Sequence, residues 1–167
     1  LRERIGLRTA AERPDDGPRA ASPQPGAPKQ HQSEETPDVS DGRLAGRTVL
    51  VVDDDQRNVF ALTTMLELHG MRVLCAEDGR QGMDALRANP EIDLILMDVM
   101  MPEMDGYAAM AMIRSMPEHA DLPIIAVTAK AMPGDREKCL EAGATEYITK
   151  PVGASALLSC MVRCLGA

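Results

Sequence analysis

From residue 46 onward, apolar residues fall in a regular alternation of short continuous runs and longer stretches of helical period. Thr48-Val-Leu-Val-Val52 is an unbroken apolar run, the pattern of a strand buried on both faces, and it predicts a strand over 48–53. A helix follows over about 56–69, where Val59, Leu62, Met65 and Leu66 share one face, with Asp55 as N-cap and Gly70 as stop. The same alternation predicts strands over 71–76, 93–97, 123–127 and 145–148. Helices are predicted over 79–88, over 106–115 behind Asp105-Gly106, between Pro133 at a first helical position and Gly143 at a stop, and over 153–165. In the last of these, Leu157, Leu158, Met161, Val162 and Leu165 form one stripe. A strand and a helix repeated five times with short connections predict an α/β fold, a parallel sheet with helices on both faces.

Composition sets the first 45 residues apart. They hold six of the twelve prolines but only five Leu, Ile, Val, Met or Phe residues, so ordering them would bury too little apolar surface to offset the entropy lost. Residues 1–45 are therefore expected to be a disordered, Pro-rich linker, and residues 46–167 one domain. Charge is shared unevenly. Seven basic and eight acidic residues give the linker a net of −1, whereas eleven and eighteen give the domain −7. An acidic body with only Phe60, Tyr107 and Tyr147 for stacking argues against direct nucleic-acid binding. No apolar stretch approaches the ~20 residues of a membrane span and no signal peptide is visible, so no membrane contact and a cytoplasmic location are expected. Cys75, Cys139, Cys160 and Cys164 form no CxxC pair, and the i,i+4 spacing of Cys160 and Cys164 would need two further ligands to hold a metal; free, buried or half-buried thiols are expected. The chain starts at Leu1 and its first methionine is Met65, so it is expected to be a piece of a longer protein.

Candidate chemistry lies just past the strands. Asp53 and Asp54 follow the first, Asp98 the third, Thr128 the fourth and Lys150 the fifth. In open parallel sheets the carboxyl ends of the strands converge on one crevice, the usual ligand site. Each residue has an ordinary alternative: Asp54 or Asp55 as a helix cap, Asp98 as turn chemistry before Pro102, Thr128 as a partner for a backbone group, Lys150 as a solvated charge. Five such coincidences at four strand ends are improbable. Three carboxylates, a hydroxyl and an ammonium make a site for a divalent cation and a phosphoryl group.

Val51-Val-Asp-Asp-Asp55, Leu96-Met-Asp-Val-Met-Met-Pro-Glu-Met-Asp-Gly106, Val127-Thr-Ala129 and Tyr147-Ile-Thr-Lys-Pro151 resemble, at matching spacing, the motifs of the response-regulator receiver domain of bacterial two-component signalling. Arg57-Asn-Val-Phe-Ala-Leu62 and residues 129–139 look most like receivers of hybrid sensor histidine kinases. The resemblance implies a flavodoxin-like (βα)5 fold, a doubly wound sheet in the order 2-1-3-4-5. It makes Asp98 the phosphoacceptor, taking a phosphoryl group from phosphohistidine in a transfer the domain catalyses itself. Asp54, Asp98 and the backbone carbonyl of Met100 would bind Mg²⁺ directly, and Asp53 through a coordinated water. Lys150 would neutralise the phosphoryl oxygens, while Thr128 and Tyr147 would form the conformational switch. Pro151 becomes a candidate cis residue. Implied partners are a histidine kinase or a histidine phosphotransfer protein, with a dimer contact possible on the face of the fourth helix, fifth strand and fifth helix.

Met100 and Lys130, two residues beyond Asp98 and Thr128, occupy the positions that in the family govern access of water to the phosphoryl group. Met100 offers an attacking water no useful hydrogen bond, so slow self-dephosphorylation is expected. The run Met100, Met101, Met104 is read as flexible apolar packing. His69 and His119 near helix ends and His31 in the linker lack the setting of a phosphorylated histidine, so the chain receives phosphate rather than starting the relay. A flavin-binding flavodoxin would want hydroxyls and glycines where Asp53-Asp-Asp55 stands. A receiver used only for interaction would lack one of the site residues. A small-metabolite phosphotransferase would need a cap for which about 120 residues leave no room. A stand-alone response regulator remains the alternative to a fragment of a hybrid kinase.

Overall fold

A computed structural model describes residues 42–129 and 131–166, so the linker up to residue 41 and Lys130, with the expectations attached to them, lie outside the described residues. The elements run β1 (Thr48–Val52), α1 (Gln56–Leu68), β2 (Arg72–Ala76), α2 (Gly79–Ala88), β3 (Leu94–Asp98), α3 (Gly106–Arg114), β4 (Ile124–Thr128), α4 (Asp135–Ala142), β5 (Glu146–Thr149) and α5 (Ala154–Cys164). Every strand pair is parallel, and the sheet order is β2-β1-β3-β4-β5, as the resemblance implies. Every residue of the three central strands β1, β3 and β4 is buried, which is why they read as unbroken apolar runs. The edge strands β2 and β5 are only partly covered.

Strand alternation divides the core in two. Leu50, Val52, Ile95, Met97, Ile124 and Ala126 pack with Met83 and Leu86 of α2, Met110 and Ile113 of α3 and Cys139 of α4. Val49, Val51, Leu94, Leu96, Ile125 and Val127 pack with Val59, Leu62 and Leu66 of α1 and Leu157, Leu158 and Met161 of α5. Three helices start on an aspartate cap: Asp55 accepts from the Arg57 N–H at 3.0 Å, Asp78 from Gln81 at 2.8 Å and Asp105 from Ala108 at 2.7 Å.

Three features differ from the sequence expectations. Leu44, placed in the linker, is 2% exposed and packs against the α1/α5 side of the core, so the packed body begins before residue 46. Pro133 does not open the fourth helix. Gly134, at φ +89°, intervenes as an N-cap without a side-chain bond, and the helix starts at Asp135. A 3₁₀ turn at Pro117–His119, not anticipated, joins α3 to β4. Lys150–Pro151 is cis, as the resemblance suggested.

Candidate functional site

At the carboxyl end of the sheet the strand-end residues do converge. Asp98 closes β3 and is 2% exposed; Asp53, one residue past β1, is equally buried. Lys150, one residue past β5, reaches between them, its Nζ 3.3 Å from Asp53 Oδ2 and 3.4 Å from Asp98 Oδ1. Asp54 is exposed at the mouth, yet carboxylate oxygens of Asp53, Asp54 and Asp98 all lie within 4.8 Å of one another. Asp53 Oδ1 also accepts the Asp55 N–H at 2.8 Å, which fixes the turn into α1, and Asp98 Oδ1 accepts the Met100 N–H at 3.1 Å.

The electrostatics follow from this crowding. Burial raises the pKa of Asp98 above the ordinary carboxyl value and the neighbouring Asp53 charge adds to the shift, while the Met100 N–H and Lys150 pull the other way. For Lys150, burial works to lower the pKa, but the negative charges of Asp98 and Asp53 outweigh it and the ammonium is held above its ordinary value. The site thus has one fixed positive charge against three carboxylates. A hard, oxygen-only donor set with surplus negative charge fits a small divalent cation that retains several waters.

The alternation of side chains separates two groups. Asp53, Asp98 and Lys150 continue the face of Val51, Leu96 and Ile148, which is the α1/α5 side. Thr128 and Tyr147 continue the face of Ala126, on the α2/α3/α4 side. Thr128 is 3% exposed, and Tyr147 is half-buried against that core rather than a solvated edge aromatic. The methionine run is split: Met101 is buried and Met104 packs against the core, but the Met100 side chain is 53% exposed beside the site, contrary to the packing reading.

Sequence reasoning missed four contributing residues. Glu77 and Asp78 stand past the end of β2, where the rule of strand ends would have found them. With Asp54, Met101, Pro102 and Glu103 they line a cleft of about 280 Å³ at the mouth. Gly106 lies against the backbone of the acceptor loop: a Cβ there would collide with the carbonyl oxygen of Asp98 and come within 2.8 Å of Val99 Cα. Arg114 donates from Nε to Gly143 O (2.8 Å) and from Nη1 to Leu122 O (2.8 Å) and His119 O (3.1 Å), binding the end of α4 to α3 and to the start of β4.

The site is thus an acidic cleft at the carboxyl end of a five-stranded parallel sheet, with a half-buried lysine and a buried strand-end aspartate. A family model for the response regulator receiver domain matches residues 49–161, and the chain belongs to that family, the receivers of two-component signalling. It is 38% identical over 125 residues to the signal transduction histidine-protein kinase BarA of Escherichia coli, covering 75% of this chain but 14% of that kinase. It is 39% identical over 110 residues to protein PilH of Pseudomonas aeruginosa, covering 66% of this chain and 90% of PilH. Among solved structures, the receiver domain of a Pseudomonas aeruginosa sensor histidine kinase superposes with a TM-score of 0.64 at 38% identity, covering 74% of this chain and 100% of that one; it holds a magnesium ion in its active-site cleft. Receivers work with histidine kinases or phosphotransfer proteins in phosphorelays. Among the described residues no helix is long and apolar enough to cross a membrane.

Proposed function

We propose that the domain accepts a phosphoryl group on Asp98 from a phosphohistidine, with Mg²⁺ held by Asp54, Asp98 and the Met100 carbonyl and, through water, by Asp53. The observation that carries this reading is Lys150, whose ammonium bridges Asp53 at 3.3 Å and Asp98 at 3.4 Å in an otherwise acidic cleft. In the transfer an Asp98 carboxylate oxygen bonds to phosphorus, the bond from phosphorus to the donor imidazole nitrogen breaks, and that nitrogen keeps the electron pair. When bound, the cation would supply positive charge to the phosphoryl oxygens. Lys150 would supply a second, its ammonium held above its ordinary pKa by the negative charges of Asp98 and Asp53. The Met100 N–H keeps the acceptor carboxylate oriented. Asp53 acts through what it holds, fixing Lys150 with one oxygen and the start of α1 with the other. Thr128 then bonds the new phosphoryl oxygens across the sheet edge and Tyr147 follows it inward, carrying the signal to the α4-β5-α5 face, where a partner or second copy binds.

Phosphodonor docking is assigned to the opposite side. A groove of about 210 Å³ lined by Asn58, Ala61, Met65, Pro151 and Val152 has Lys150 in its wall. On α1, Ala61 is exposed at the groove, and the helix also presents Phe60 at 74% and Leu68 at 80% exposure. An apolar surface opening toward the acceptor suits a helix bearing a phosphohistidine. The charge and composition of the domain favour protein partners over nucleic acid, and a cytoplasmic location suits such a relay. The likeness to BarA favours an origin in a hybrid kinase and the likeness to PilH a stand-alone regulator; both readings place the same chemistry on Asp98.

The test is incubation with acetyl phosphate and Mg²⁺. Acid-labile phosphate should appear on the wild type and be absent from Asp98→Asn or after chelation. Equal behaviour of wild type and variant would refute the reading.

A further inference from the structure

We propose that Asn58 is a specificity-determining residue of the phosphoryl transfer, its amide oxygen accepting the ring N–H of an imidazole phosphodonor at the nitrogen that does not carry phosphorus. This role rests on Asp98 being the phosphoacceptor and specifies what the groove beside it recognises. Asn58 stands half-buried in the first turn of α1. It precedes Ala61, Leu62 and Met65 at helical spacing, and all four line the groove of about 210 Å³. Among the described residues Asn58 and Lys150 are the only polar side chains in that lining, so a carboxamide holds a place that the helix period gives to an apolar residue. Four carboxamides fall among the described residues, and three are tied within the protein. Gln56 donates to Glu77 at 2.7 Å, Asn89 donates to the Ala85 carbonyl at 2.9 Å, and Gln81 accepts the Glu77 N–H at 3.2 Å. The Asn58 side chain has no hydrogen-bond partner among the described residues, and its amide atoms are not sealed in the core.

Lys150 joins the groove to the acceptor: it stands in the groove wall, and its Nζ lies 3.4 Å from Asp98 Oδ1. A donor that brings phosphorus to Asp98 and rests its leaving group in the groove therefore sets that group between Lys150 and the first turn of α1. A flat ring with apolar faces and one N–H matches an apolar groove that holds one free carboxamide. An acyl phosphate has no N–H for the Asn58 oxygen to accept. In the transfer an Asp98 carboxylate oxygen bonds to phosphorus and the bond from phosphorus to the ring nitrogen breaks, that nitrogen keeping the electron pair. The proton on the other ring nitrogen stays in place, held by Asn58, so the ring departs as neutral imidazole. Without that proton it would depart as the imidazolide anion, a far poorer leaving group. The phosphorylated ring is cationic while it carries the proton, so the bond to Asn58 is charge-assisted before transfer.

Small donors test the role apart from helix docking. N-phosphoimidazole and acetyl phosphate are each given, with Mg²⁺, to the 167-residue chain and to its Asn58→Leu, Asn58→Ala and Asn58→Asp variants, and the rate of Asp98 phosphorylation is measured. The ratio of the rate with phosphoimidazole to that with acetyl phosphate should fall about ten-fold in the Leu and Ala variants, the worth of one hydrogen bond. Asn58→Asp keeps an acceptor oxygen and should hold the ratio at or above that of the wild type. A purely structural role would slow both donors together and leave the ratio unchanged. With a phosphoimidazole methylated on its second nitrogen, which has no N–H, wild type and Asn58→Leu should react alike. An unchanged ratio in the Leu and Ala variants, an equal fall in the Asp variant, or a difference that persists with the methylated donor overturns the role of Asn58. No phosphate on wild-type Asp98 from either donor would instead refute the phosphoacceptor reading, and this role with it.

Discussion

Asp98 is a carboxylate held at a buried strand end with a second carboxylate beside it, and only Lys150 to offset them. Its pKa is raised on folding, so the sign of its contribution is fixed: stability is fullest below the unfolded value of 3.8 and declines as pH rises through the folded value. At neutral pH the ionised group costs stability. Asp98→Asn should raise the melting temperature of the metal-free protein by a few degrees, the shift of about 1 kcal/mol in a domain of this size. The gain should vanish below pH 3.8, which a series of thermal melts would reveal. Met100 illustrates the limit of pattern reading. Its neighbours Met101 and Met104 pack, but its own side chain stands 53% exposed beside the site, where it can shield the acceptor without orienting a water. The aspartyl phosphate should therefore decay slowly, and Met100→Asn should hasten the decay about ten-fold, the worth of one hydrogen bond of about 1.4 kcal/mol. Rapid loss from the wild type that slows in the variant would contradict this.

At the scale of elements, the loop from β3 to α3 carries the acceptor, and Gly106 sets how close α3 can approach it. Because an added methyl would meet the Asp98 carbonyl and the Val99 backbone, Gly106→Ala must push the loop away. A loss of about 1–3 kcal/mol is expected by urea unfolding, with a slower initial rate of phosphorylation by acetyl phosphate. An unchanged rate would show that the loop tolerates the shift. Most elements were legible in the sequence from their period, and for α1 the expected cap agrees, since Asp55 caps the helix it precedes. The 3₁₀ turn at Pro117–His119 was not, because a single turn is too short to show a period. The start of α4 was misread because Pro133 is a permitted first helical residue, and nothing local reveals that Gly134 turns left-handed after it.

For the whole molecule, Arg114 and Ala61 mark the two sides. Arg114 ties α3, the start of β4 and the end of α4 through three backbone carbonyls, so Arg114→Ala should cost about 1–2 kcal/mol by leaving partly buried acceptors without their charged donor. Arg114→Lys should recover little, lacking the planar fork; thermal or urea midpoints of both variants decide it. Ala61 tests docking, because it is exposed and lines the groove: Ala61→Asp should slow transfer from a phosphohistidine donor while leaving phosphorylation by acetyl phosphate unchanged, and parallel loss of both would remove α1 from the docking surface. The sequence by itself determined the strand and helix alternation, the five strand-end residues and the family, because periodicity, capping and motif spacing are local properties of a chain. Only the tertiary structure decided that Asp53, Asp98 and Lys150 meet on the α1/α5 side while Thr128 and Tyr147 lie on the other, that Leu44 belongs to the core, and that Arg114 and Gly106 hold the site's surroundings. Those facts depend on which strand lies beside which and on contacts between residues far apart in the chain, and neither is written in any one stretch of sequence.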